Sequence, residues 1–92
     1  MLKIRVEELA REPWEFSVVV GEGPTTSEHV VVISDEEFEL YGGNMEPREL
    51  AKATVAFLLT QEKAEDMGDH FTLSDVEKEF PEYPEVVEDY SE

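Results

Sequence analysis

Trp14-Glu15-Phe16-Ser17-Val18-Val19-Val20, followed after a turn-rich interval by Glu28-His29-Val30-Val31-Val32-Ile33, is the stretch that decides the fold. Trp14, Phe16, Val18 and Val20 recur at every second position opposite Glu15 and Ser17, the period of a strand with one buried face. The second run is dense in β-branched residues, which suit a pleated surface. Between them Gly21-Glu22-Gly23-Pro24-Thr25-Thr26-Ser27 is rich in turn formers, so the two runs read as an antiparallel hairpin joined by a somewhat long connection.

Upstream, Leu2, Ile4 and Val6 alternate with Lys3, Arg5 and Glu7, the pattern of a further strand, although Val6, Leu9 and Ala10 would also suit a short helix. Pro13 ends that segment. Downstream, Ser34-Asp35-Glu36-Glu37 has the form of a capping box, and Phe38 and Tyr41 place a short helix before Gly42-Gly43. A main helix starts at Glu46-Pro47, with Leu50, Ala53, Phe57 and Leu58 at helical spacing and Ala51, Val55 and Leu59 widening the apolar face. Gly68 is expected to break the chain. Thr72-Leu73-Ser74-Asp75 is another capping signal, Leu73, Val76 and Phe80 form a short apolar stripe ended by Pro81, and Pro84 opens a last turn carrying Val86, Val87 and Tyr90. The expected class is α+β: a small antiparallel sheet, the hairpin plus an N-terminal strand, packed by one main helix and short C-terminal helices. A single domain over 1–92 is expected, with 84–92 an acidic tail prone to fraying.

The chain has 24 acidic and 7 basic residues, a net charge of -17. A folded chain of this mass exposes roughly 5,400 Å², so net charges lie roughly 18 Å apart, against a Debye length of about 8 Å at physiological salt. The charge is unevenly placed: residues 12–47 hold nine acids and no base, and residues 79–92 hold six acids and no base. Such a field disfavours direct contact with nucleic-acid phosphates or anionic membrane, and a basic protein partner is the complementary expectation. The N-terminal segment carries no apolar run resembling a signal peptide or a membrane span, so a cytoplasmic setting is expected.

With no cysteine, disulfides, thiolate nucleophiles and thiolate metal sites are excluded. Gly21-x-Gly23 follows a strand, but Thr26 and Glu22 suit a hairpin turn better than a dinucleotide loop. No Gly-x-Ser-x-Gly elbow is present, and a hydroxyl nucleophile would have to lie beside His29 or His70. His29, entering an aliphatic strand, reads as a hydrogen-bonded strand residue. The most suggestive cluster is Glu62, Glu65, Asp66, Asp69 and His70, of which Glu62, Asp66 and His70 on a continuous helix would share one face and could hold a divalent cation; a solvated helix end is the plainer reading. For a partner surface, Trp14, Glu15, Glu22 and Glu28 are the candidates: an aromatic anchor, itself also suited to the core, and the acids of the hairpin. The apolar strands could alternatively pair with a second copy across an open sheet edge, making a homodimer.

From Ser27 to Tyr83 the order of features resembles a family of small uncharacterised prokaryotic proteins. The likeness is carried by the Val-rich strand, the acidic helix ending near Gly42-Gly43, and Pro47-Arg48-Glu49-Leu50. It continues through Ala56-Phe57-Leu58-Leu59-Thr60-Gln61-Glu62 and closes on Phe71-x-Leu73-x-x-Val76-x-x-x-Phe80-Pro81-x-Tyr83. The resemblance implies a structural unit and brings no activity with it.

Overall fold

The computed structural model describes residues 3–22, 25–42, 45–62 and 66–88. Strand β1 (Ile4–Ala10), β2 (Trp14–Glu22) and β3 (Thr25–Ile33) form an antiparallel meander. Helices α1 (Asp35–Tyr41) and α2 (Pro47–Gln61) follow, and a three-residue strand β4 (His70–Thr72) leads directly into α3 (Leu73–Glu79) and α4 (Tyr83–Glu88). The α+β class and the N-terminal strand are as expected. The sheet is mixed rather than wholly antiparallel: in the order β1-β2-β3-β4, the last strand runs parallel to β3, with Val30, Val31 and Val32 opposite His70, Phe71 and Thr72. The chain returns to β3 through two helices, the kind of crossover that parallel pairing requires.

The hairpin connection is tighter than its composition suggests. Gly21 pairs with Thr26 and Glu22 with Thr25, so only residues 23–24, outside the described residues, bridge the strands. β1 keeps register with β2 from Ile4 opposite Val20 to Glu8 opposite Phe16, then shifts by a bulge between Glu8 and Ala10. There Leu9 is left 54% exposed.

One face of the sheet carries Phe16, Val18, Val20, Val31 and Ile33, and against it α2 buries Leu50, Ala51, Val55, Phe57 and Leu58. At roughly 1.5–3 kcal/mol for each large apolar side chain fully buried, this layer is the main stabilising term. Pro47 occupies the first turn of α2, where its missing N–H costs nothing. Both capping boxes form: Ser34 with Glu37 at α1, and Thr72 with Asp75 at α3. Residues 84–88, within the acidic segment expected at the C-terminus, belong to α4, whose Tyr83 and Val87 are completely buried; residues 89–92 lie outside the described residues. The ring of Tyr83 packs between Tyr41 and Phe57, and its hydroxyl bonds Thr54 Oγ1 at 2.7 Å. Thr54, buried in the face of α2, donates its hydroxyl proton to the Leu50 carbonyl at 2.8 Å. No described helix is long and apolar enough to cross a membrane.

Candidate binding surfaces

The opposite face of the sheet is open among the described residues, and the strand registers arrange it in three cross-strand rows. Arg5, Val19 and Glu28 form the first, Glu7, Ser17, Val30 and His70 the second, and Ala10, Glu15, Val32 and Thr72 the third. Arg5, Glu7, Glu28 and His70 are exposed, while Val19, Val30, Val32 and Glu15 are half-buried. Ser17 is buried between these rows and its hydroxyl donates to the Glu28 carboxylate. Glu15 and Glu28, both expected at a partner surface, therefore share this face. Trp14 does not join them: strand alternation turns it to the helix side, where it packs edge-on to Phe38 at 5.2 Å between ring centroids. The Glu22 side chain lies outside the described residues.

The cation cluster expected from Glu62, Asp66 and His70 does not assemble. α2 stops at Gln61, and Glu62 caps it with extended backbone at φ -152° and ψ 167°, so helical spacing ends before Asp66. His70 opens β4 and lies on the open sheet face opposite Val30. No group of three His, Asp or Glu among the described residues could hold a metal ion.

Glu62 instead edges a groove of about 120 Å³ between the end of α2, the loop into β4, and α3. Its floor is apolar, formed by Leu58, Met67, Phe71 and Val76; Asp75 and Glu79 also line it. Burial raises the Glu62 carboxyl above the usual carboxylate range, and the charges of Glu79 and Asp66 push the same way. Asp75 is held low, because its carboxylate accepts the Thr72 N–H that completes the α3 cap.

The loop behind this groove is tied down by His29, which is 1% exposed. Its Nδ1 is 2.8 Å from the Gly68 carbonyl and its Nε2 2.9 Å from Ser27 Oγ. Since a carbonyl can only accept, Nδ1 carries a proton, and in the neutral ring Nε2 is the acceptor for the Ser27 hydroxyl. A base oriented by an acceptor and bonded to a hydroxyl is the geometry of an activated nucleophile. Here it is sealed: a base at 1% exposure offers no approach to a leaving group, and the groove's lining includes neither Ser27 nor His29. His29 thus acts as the hydrogen-bonded strand residue expected, joined by the Val30 amide, which donates to the Asp69 carbonyl at 2.7 Å.

A second polar centre joins α1 to α3. Glu37 accepts from the Ser34 N–H at 2.9 Å to close its capping box, and its other oxygen accepts the Ser74 N–H and hydroxyl, each at 2.8 Å. Burial alone would raise this carboxyl, but the bonds from Ser34 and Ser74 outweigh it and hold the group below the usual range. Beside it, Tyr41 donates to Glu77, and burial together with that carboxylate pushes the phenol up to about 12.

Compared with known proteins, the chain matches no family model, no curated protein and no solved structure.

Proposed function

We propose that this chain is a non-enzymatic interaction module that meets a basic protein partner through the open face of its sheet, in a cytoplasmic setting. The observation that supports this reading is the composition of that face: Val19, Val30 and Val32 form an apolar strip around which Glu7, Glu15 and Glu28 outnumber Arg5. The strip offers surface to bury, and the carboxylates select the sign of what buries it. Nucleic acid and anionic membrane are the wrong sign.

Capture from native lysate at low and high salt tests the reading when the wild type is compared with a variant carrying Glu7→Gln, Glu15→Gln and Glu28→Gln. The expected result is a basic partner released by salt and lost by the variant. A partner held equally by both proteins and indifferent to salt overturns it. Sedimentation at the same two salt concentrations distinguishes a homodimer formed through the edge strands β1 or β4.

A further inference from the structure

We propose that the groove between α2, β4 and α3 is a binding site for the side chain of a lysine residue presented by a partner peptide. The inference is independent of the sheet-face reading, because the groove lies on the helix side of the sheet, where Phe71 faces the core.

Three properties of the groove select this occupant. Its volume of about 120 Å³ is of the order of a cavity that takes one small apolar group, so it admits a single side-chain stem and not a larger ligand. Its floor of Leu58, Met67, Phe71 and Val76 offers that stem nothing but apolar contact. Its rim carries Glu62, Asp75 and Glu79, and among the described residues no base lines it. A lysine side chain has this division, an apolar stem that buries and a compact ammonium that stays at the wet end. A bare metal ion would find an apolar floor and, among the described residues, no converging ligand set. The charge already felt at Glu62 from Glu79 and Asp66 is repulsion that an ammonium relieves.

The groove also exists before anything enters it. Gly68, on its wall, is fixed by the His29 ring, and Asp69 by the Val30 amide, while Met67 is buried beneath. A pre-formed wall spares the ligand the cost of ordering a loop.

The test is a titration with Nα-acetyl-lysine methylamide, followed through the backbone amide signals of Gly68, Phe71 and Val76. Saturable shifts confined to the groove are expected. The norleucine derivative, which has the stem without the charge, and ammonium chloride, which has the charge without the stem, should produce none at equal concentration. A Glu62→Gln, Glu79→Gln variant should bind about tenfold more weakly, a factor worth about 1.4 kcal/mol. Both side chains are at the rim, and an unchanged amide spectrum elsewhere verifies the fold of the variant. Shifts that spread over the whole surface, or that ammonium reproduces, overturn the proposal, as does unchanged affinity in the variant. Tighter binding of the arginine derivative overturns the choice of ammonium, and tighter binding of n-butylammonium reassigns the groove to free amines.

Discussion

Glu37 shows what one acid among 24 can be made to do. Its carboxylate is buried and carries the N-terminal turns of two helices at once, through Ser34 for α1 and Ser74 for α3. Hydrogen bonds to a charged acceptor are worth about 1.5–3 kcal/mol each before desolvation is deducted, and leaving the donors unpaired adds a penalty. Glu37→Ala should therefore lower unfolding stability by about 2–3 kcal/mol at neutral pH in a urea titration, far more than the same change at exposed Glu36. The pH dependence has a definite sign. Because the folded-state carboxyl is depressed, its contribution is present above the unfolded value near 4.5 and is lost as pH falls through the folded one. Asp75 acts in the same direction and Glu62, whose carboxyl is raised, in the opposite one. The stability difference between wild type and Glu37→Ala should accordingly shrink in acid, and a difference constant from neutral pH to below 4 would mean that the charge on Glu37 is unimportant.

At the scale of elements, the short strand β4 depends on its neighbours. It has three residues, and His29 and Val30 hold the loop that delivers it. His29→Ala should cost about 2 kcal/mol, from one buried ring and two hydrogen bonds, and should expose the Val30 amide to exchange before the rest of β3. Uniform acceleration along β3 would show that the loop is not a separate unit. Gly42 is a second constraint: it caps α1 with right-handed backbone, and an added Cβ would sit 2.5 Å from the Phe38 carbonyl oxygen and 2.8 Å from its ring. Its need is for space rather than for a left-handed turn, so Gly42→Ala should lower the melting temperature. The elements that were legible in the sequence are those with local signals. The hairpin has its alternation, α1 and α3 have their capping boxes, and α2 has Pro47 and its apolar spacing. β4 was not legible, since three residues show no period and its parallel partner lies about forty positions away. Nor were the contacts that join distant positions: Glu37 to Ser74, Thr54 to Tyr83, or His29 to Gly68. The Glu62, Asp66 and His70 reading failed for a related reason. Gly68 was the visible helix stop, whereas the chain leaves helical geometry at Glu62. That Glu15 and Glu28 share one face of the sheet was legible, because it follows from alternation; the groove was not, because its floor is drawn from α2, a loop, β4 and α3.

For the whole molecule the governing quantity is the charge of -17. With 24 acids and 7 bases, pairing every base to its own acid would still leave 17 acids without one. Where a pair does form, as between Arg11 Nε and Glu8 at 3.0 Å, both side chains are exposed and the gain is small. The Glu7, Glu15 and Glu28 face and the Glu62, Asp75 and Glu79 rim gather part of that charge on two sides of one sheet. Folding brings these groups closer than they are in the extended chain, so self-repulsion opposes the native state and salt should relieve it. The Debye length falls from about 30 Å at 0.01 M to about 8 Å at 0.15 M, and only over that interval does it cross the roughly 18 Å spacing of the net charges. A relief of about 1 kcal/mol would raise the melting temperature by about 4–8 °C for a domain of this size. Most of the gain should therefore appear below physiological ionic strength, unlike salting-out, which continues to grow with concentration. Calorimetry across that interval checks it, with an uncharged osmolyte as control. A flat response would mean that the acids are already neutralised by bound cations, whereas a steep one that levels off identifies repulsion between the two acidic surfaces and their surroundings as the term that a basic partner would remove on binding.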